Sequence, residues 1–441
     1  MTDLADKWID FLDTRGEAPF LSNENGTWRY SELSSAAKRF KLIFEGLKVG
    51  TCLIEGDYSL NSIACLIVGL TYGWRVVPVV STNEQITSTR LRISSATHTV
   101  SEKTSWQLQS ISDKSSLKEV DSQNGAGVIL FSSGSTGEPK AMLKALDIEL
   151  SNSLAKKNKP VTMALLLLFD HIGGLNTLIS GLKKSAHLVA PLDRKPTVLS
   201  RLIQLHSVKV LPCSPTFLNM MYMERVFDVF NLKSLRFVTY GTERMPDDLL
   251  KRLSTLLPRT KFLQTFGTSE TGIVQTKSLS SSSTFMTIDD PNVEWRIVDK
   301  ELLLRAKGQI MGYLNSDQKA IHDGWFRTGD LVEFHNEKYF KIVGRKTEII
   351  NVGGEKVLPS EIEDLLMAIP KILDCTAYAV PNLITGQAVG VRIVAEAGAD
   401  TKLLKKTVRE SCRSTLEKYK VPSKVTFESS LKHTDRFKKE R

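Results

Sequence analysis

Cysteine is scarce in this chain, and what there is does not pair up. Five cysteines (Cys52, Cys65, Cys213, Cys375, Cys412) are scattered through 441 residues without a CxxC spacing. An odd, dispersed set argues against a disulfide framework and against a zinc cluster, and it fits a reducing compartment. The seven histidines form no HxxxH pair, so a catalytic zinc lacks its usual ligands. Long hydrophobic runs are missing too. The longest, Met163 to Phe169, is far shorter than the roughly 18 residues of a membrane helix. The first residues, MTDLADKWIDFLD, are acidic and amphipathic, unlike the basic start of a secretory signal. A soluble, cytoplasmic protein without a membrane span is the expectation.

The balance of charge is basic. Lys and Arg number 59 against 49 Asp and Glu, a net charge of +10. The excess is dispersed except at the end, where Arg436, Lys438, Lys439 and Arg441 crowd together. No RNA-binding or helix-turn-helix signature accompanies it, so nucleic acid is not the expected partner. Dispersed charge reads as a solvated surface, and its sign suits small acidic or phosphorylated partners.

Helical and strand patterns alternate through most of the chain. Ser31 to Phe44 has helical spacing, and Cys65 to Gly69 followed by Trp74 to Val80 reads as helix then buried strand. Short apolar runs at 128–131, 163–169, 208–211, 232–239 and 261–265 read as further buried strands. This alternation predicts an α/β protein with large mixed or parallel sheets. Ser278 to Ser283 is serine-rich and reads as a linker or mobile loop. From about 292 shorter strands dominate, which predicts a small β-rich, barrel-like unit over 292–342. From Arg345 the pattern becomes α+β, with helices near 360–367 and 400–416. The expected division is a core over 1–342 and a small C-terminal unit over 343–441.

The most informative segment is Phe131 to Ala141, FSSGSTGEPKA. It follows a short buried strand. Glycines let backbone N–H groups approach an anion, hydroxyls add donors, and Lys140 adds a cation. The chemistry suits a polyphosphate. It is not a Walker A loop, because Pro139 precedes the lysine and Ala141 follows it. Composition alone leaves a flexible surface turn as the other reading.

The order of residues favours the phosphate reading. Ser132, Ser133, Gly134, Ser135, Thr136, Gly137, Pro139 and Lys140 resemble the loop [ST]SG[ST]TGxPKG of the adenylate-forming superfamily, which includes acyl-CoA synthetases, peptide-synthetase adenylation domains and luciferases. Four more segments follow in the family order. QTFGTSETG (264–272) is similar to the YGxTE motif, with Phe266 and Ser269 in place of Tyr and Thr. WFRTGDL (325–331) matches W[FY]xTGD. GRKTEIINVGGEKVLPSEIE (344–363) resembles the opening of the C-terminal domain, with Thr347 where the hinge residue is usually Asp or Lys. YKVP (419–422) and LKHTDRFKKER (431–441) resemble YKVP…LPRTxxGKxxR, with Phe437 where the family has glycine. Glycine there permits positive φ, which phenylalanine normally avoids.

The resemblance implies a large N-terminal domain of stacked sheets followed by a mobile lid. It implies ATP-dependent activation of a carboxylic acid to acyl-AMP with release of pyrophosphate, then transfer to a thiol. The implied acceptor is CoA, in an acyl- or aryl-CoA ligase. The alternative is a carrier-protein phosphopantetheine, loaded by a standalone adenylation enzyme. An inactive nucleotide-binding relative is the reading from another class. Phe437 and Thr347 raise it, and the presence of Glu270, Asp330, Arg345 and Lys438 weighs against it.

By the same resemblance, Lys438 is the catalytic lysine, with Lys439 as its fallback. Glu270 is the Mg²⁺ ligand. Asp330 and Arg345 hold the ribose or phosphate. Gly241, Thr242, Gln264, Phe266, Gly267 and Ser269 lie along the nucleotide. His171 with Gly174 fits the HxxG of a PLxHxxG segment that gates the thiol tunnel, although a core or capping histidine is the plainer reading. Phe169-Asp170 partly echoes the FDxS of amino-acid-activating domains. Gly353 and Gly354 are assigned to the tunnel wall. Leu175, Ser214, Tyr240, Gly267 and Ile273 are assigned to a largely neutral acid pocket, suited to an apolar or aromatic acid.

Overall fold

The structure is a computed structural model that describes residues 2–81, 83–111, 125–132, 138–145, 160–310, 313–316, 321–434 and 437–441. Two sheets with parallel centres dominate the first half. In one, the strands at 261–264, 237–240, 210–213, 162–164, 187–189 and 19–23 run parallel, and 26–29 closes the edge antiparallel. In the other, 98–101, 51–55, 75–79 and 127–131 run parallel between two antiparallel edges at 109–110 and 141–144. Strands in such sheets are buried on both faces and read as continuous apolar runs. GVILF at 127–131 is buried at every position. Between the sheets lies a core that gathers Trp8, Phe40, Phe44 and Trp74 with the almost entirely buried helix Leu60–Thr71.

The run Met163 to Phe169 corrects the sequence reading. Only Thr162–Ala164 is strand, although Leu165, Leu166 and Phe169 are buried. After Leu165 donates to the Val189 carbonyl, the chain turns away and enters the helix Ile172–Lys183. Apolar continuity marked burial there, not strand length. The serine-rich 278–283 segment includes the turn that joins the strands 276–278 and 286–288. The Ser281 and Ser278 hydroxyls accept from the backbone N–H of Phe262 and Gln264 at 2.9 and 3.1 Å. The serines thus satisfy the outer donors of an edge strand, which would otherwise be open to pairing.

The strands from 276 to 345 form an antiparallel sheet, in the order 276–278, 286–288, 340–345, 325–334, 301–306, 293–298. A separate five-stranded sheet is built from 355–357, 350–352, 386–395, 372–382 and 424–427, covered by the helices Pro359–Met367 and Thr401–Thr415. The architecture is α/β, with a large N-terminal part and a smaller α+β C-terminal part. All five cysteines are buried and free. Among the described residues no helix is long and apolar enough to cross a membrane.

Candidate active site

A pocket opens where the small C-terminal sheet meets the large part. Thr242, Gln264, Phe266 and Gly267 line it from one side, Asp330 and Arg345 from the antiparallel sheet, and Lys438, Lys439 and Arg441 from the chain end. Residues nearly 200 positions apart in sequence therefore share one cavity.

Local structure explains each placement. Asp330 and Arg345 sit directly opposite one another on adjacent antiparallel strands. Opposite charges in such a pair attract, and Arg345 Nε lies 3.0 Å from Asp330 Oδ1. Burial pushes the Asp330 carboxyl up, against the opposing pull of Arg345. The turn into Asp330 is held by Glu301, which the sequence reading missed. Its buried carboxylate accepts from Gly329 N–H at 3.2 Å and pairs with Arg327.

Gly241 ends the strand Phe237–Tyr240. A Cβ there would meet the Thr265 carbonyl at 2.6 Å, so only glycine lets these two strand ends approach. Beside it, Asn219 Oδ1, Thr242 Oγ1 and Gln264 Oε1 are buried without a hydrogen-bond partner. Buried polar atoms normally have partners, and all three residues line the pocket. The wall is thus furnished for a polar occupant. Phe266 contributes an aromatic face, held by core packing behind it. Ser269 lies half-buried in the turn between the strands Phe266–Thr268 and Gly272–Val274.

Glu243 also lines the pocket and was not anticipated. Its Oε1 accepts from Thr216 N–H at 2.9 Å. Burial raises its carboxyl, and those hydrogen bonds partly offset the rise.

The two neighbouring lysines have different surroundings. Lys439 Nζ is 2.5 Å from Asp374 Oδ1 and 3.0 Å from the Cys375 carbonyl, with its side chain 15% exposed. Burial pulls its pKa down, but Asp374 and Glu363 outweigh this and hold it above the ordinary lysine value. Arg441 pairs with Glu363 at 2.5 Å and Glu348 at 3.1 Å. Lys438 instead borders the pocket with Asp330.

At the glycine-rich loop, Ser132 N–H donates to the Lys140 carbonyl at 3.0 Å, which closes the loop at its base. Ser133, Gly134, Ser135, Thr136 and Gly137 lie outside the described residues. The turn Tyr313–Ser316 docks on the exit of this loop. Asn315 accepts from Ala141 N–H at 2.8 Å and donates to the Pro139 carbonyl at 3.0 Å. Tyr313 donates to Glu270 Oε1 at 3.1 Å, and Lys140 Nζ lies 4.9 Å from its ring centroid. Neither Tyr313 nor Asn315 was singled out from sequence, although GYLN is a turn-like tetrapeptide. One carboxylate beside the glycine-rich segment would suit Mg²⁺, which takes few protein ligands.

The residues expected along a thiol tunnel are dispersed. His171 is the N-cap of the helix Ile172–Lys183, where Nδ1 accepts from Gly173 N–H at 3.3 Å. Gly174 is a packing residue, since a Cβ would lie 2.0 Å from the Leu168 carbonyl. Leu175 and Tyr240 are buried in the two large cores. Gly353 and Gly354 form an exposed hairpin tip between 350–352 and 355–357, both at positive φ. Thr347 is exposed in the 3-10 turn Lys346–Glu348, just after the strand that carries Arg345. Asp170 is buried and paired with Arg90 at 2.6 Å.

A two-part α/β protein with a polar cleft at the seam of its parts is the class this fold defines. A family model described as AMP-binding enzyme matches residues 63–320, well over half the chain, and one described as AMP-binding enzyme C-terminal domain matches 361–438. The chain belongs to the AMP-binding enzyme family. It is 25% identical over 348 residues to the fatty acid–[acyl-carrier-protein] ligase MmaC of Mycobacterium marinum, covering 69% of this chain and 65% of that protein. It is 24% identical over 343 residues to a 2-succinylbenzoate–CoA ligase of Bacillus cereus, covering 72% and 69%. The match thus spans less than two thirds of the length of the first relative. In structure it is similar to the o-succinylbenzoate CoA synthetase MenE of Bacillus subtilis, with a TM-score of 0.76, 18% identity and coverage of 98% and 96%.

Proposed function

We propose that this protein activates a carboxylic acid with ATP and passes the acyl group to a thiol. The observation that carries the proposal is the seam pocket, where Asp330, Arg345 and Lys438 meet a wall of unpartnered polar atoms. We assign residues 1–342 to the core that binds nucleotide and 343–441 to a lid that supplies Lys438.

In the first step a substrate carboxylate oxygen bonds to the α-phosphorus of ATP. The bond from that phosphorus to the bridging oxygen breaks, and pyrophosphate leaves. Negative charge builds on oxygens already crowded with it, so preplaced cations lower the barrier most. Lys438 is assigned to the carboxylate and α-phosphate, and Lys140 with the glycine-rich loop to the leaving phosphates. Asp330 is assigned to the ribose hydroxyls as acceptor, with Arg345 holding its carboxylate in place. Mg²⁺, held through Glu270 and the phosphates, would neutralise charge on the leaving group. Tyr313 orients the Glu270 carboxylate by its hydrogen bond.

In the second step a thiol attacks the acyl carbonyl and AMP leaves. Among the relatives are both a carrier-protein ligase and a CoA ligase, and CoA is the acceptor we favour. An amino acid as substrate is disfavoured by one specific contact. Asp170, the carboxylate that would hold an amino group, already faces the Arg90 guanidinium.

The test is pyrophosphate release with MgATP across fatty acids, benzoates and amino acids, with Lys438→Ala beside the wild type. Acid-dependent release lost in Lys438→Ala supports the reading. Release by no member of the panel overturns it. Thioester formation with CoA or with a carrier protein then names the acceptor.

A further inference from the structure

Phe437 stands directly before Lys438 with φ of +51°. A phenylalanine rarely adopts this left-handed conformation, and it persists only where the surroundings hold it. The surroundings here come from the large part of the molecule. The Phe437 ring meets Phe217 edge-on, with centroids 5.0 Å apart and planes at 71°. This is the favoured geometry for an aromatic pair. The ring packs against the apolar core that Phe217 belongs to. The Ser214 hydroxyl donates to the Phe437 carbonyl at 3.0 Å.

His433 and Lys439 bridge antiparallel, which makes a short hairpin around Lys438, and this hairpin is also tied to the small part. Thr434 N–H donates to the Lys438 carbonyl at 2.9 Å, and Phe437 N–H to the Thr434 carbonyl at 2.9 Å. Lys439 is bound by Asp374 and Arg441 by Glu363. Lys438 therefore sits between two anchors: an aromatic one in the large part and an ionic one in the small part.

We propose that Phe437 is a positioning residue, whose ring on Phe217, beside the bond from Ser214 to its carbonyl, docks the lysine hairpin and holds Lys438 at the seam pocket during adenylate formation. The inference rests on the acid-activating reading above. It implies that the ring must leave its seat whenever the small part turns away, so the anchor favours the first half-reaction over the second.

The test compares Phe437→Gly and Phe437→Tyr with the wild type in the full-length protein. Glycine suits the backbone conformation, so the backbone is relieved while the ring is lost. Hydrogen exchange of the apo protein needs no substrate. Residues 431–441 should exchange faster in Phe437→Gly, while the rest of the chain and Phe437→Tyr match the wild type. Unchanged exchange in Phe437→Gly overturns the proposal whatever the reaction is. In the acid panel, Phe437→Gly should lose roughly tenfold in kcat for pyrophosphate release, with KM for ATP little changed and Phe437→Tyr restoring the rate. Thioester formation from supplied acyl-AMP should not fall. Equal losses in both half-reactions, or full pyrophosphate release in Phe437→Gly, overturn it. A wild type inactive with every acid sinks the functional reading and leaves the exchange result to decide the anchor.

Discussion

Lys438 and Lys439 are adjacent, identical in chemistry and different in surroundings. Lys439 pairs with Asp374 in a nearly dry site and feels the nearby Glu363 carboxylate, which Arg441 holds. Removing one member of a buried charge set leaves the others uncompensated, at about 3–5 kcal/mol. Lys439→Ala is expected to lower the melting temperature sharply, as read by thermal denaturation. Lys438→Ala should leave the melting temperature within a degree or two and lower pyrophosphate release by roughly 10²–10³-fold. The reverse pattern would exchange the two roles. His171 calls for a similar separation. Asparagine can cap a helix as the His171 imidazole does now by accepting from Gly173 N–H, so His171→Asn should keep stability within about 0.5 kcal/mol. If the imidazole gates the thiol, thioester transfer falls in that variant while pyrophosphate release does not.

At the scale of elements, the site depends on strand ends and turns that bring distant segments into register. Asp330 faces Arg345 because a two-stranded antiparallel ladder sets them opposite. Glu301, on the neighbouring strand, accepts from Gly329 N–H and so fixes the approach to Asp330. Glu301→Gln removes the charge that Arg327 pairs with while keeping an acceptor. KM for ATP should rise several-fold in that variant, with kcat changed less, in steady-state assays. Gly241→Ala is expected to be more severe. Its Cβ has no room against the Thr265 carbonyl, so the strand ends must part and nucleotide affinity should fall at least tenfold by calorimetric titration.

At the scale of the whole molecule, the two parts meet through polar contacts as well as the aromatic anchor. Arg244 pairs with Asp364, Arg252 donates to the Met367 carbonyl at 2.9 Å, and Asn219 donates to the Leu373 carbonyl at 3.3 Å. Such contacts can be remade, as the proposed lid role of residues 343–441 requires. Far from this seam, His187 and His206 pack edge-on with centroids 5.3 Å apart. Burial, and then the neighbouring His206, push His187 down to about 4. In the unfolded chain its pKa returns to about 6.5. Between these values the unfolded chain binds a proton that the folded chain does not. Stability is therefore intact above about pH 6.5 and lost as pH falls towards 4, by about 2 kcal/mol after allowing for partial exposure. His187→Gln should flatten this slope in urea titrations run from pH 7 to 4.

The sequence carried the class of fold and the order of the motifs. Both rest on local pattern: apolar periodicity for strands and helices, and fixed residue order for the glycine-rich segment and for WFRTGDL. It also overextended the strand at Met163, because a buried loop and a buried strand carry the same apolar run. Tyr313, Asn315, Glu243 and Glu301 went unnoticed, because each draws its role from a partner 26 to 174 residues away. The tertiary structure alone distinguishes the two neighbouring lysines, Lys439 paired with Asp374 and Lys438 bordering the pocket beside Asp330. Only it showed that a phenylalanine in place of glycine is seated against Phe217. Charge pairing and ring packing are properties of surroundings assembled by folding, and no local pattern carries them.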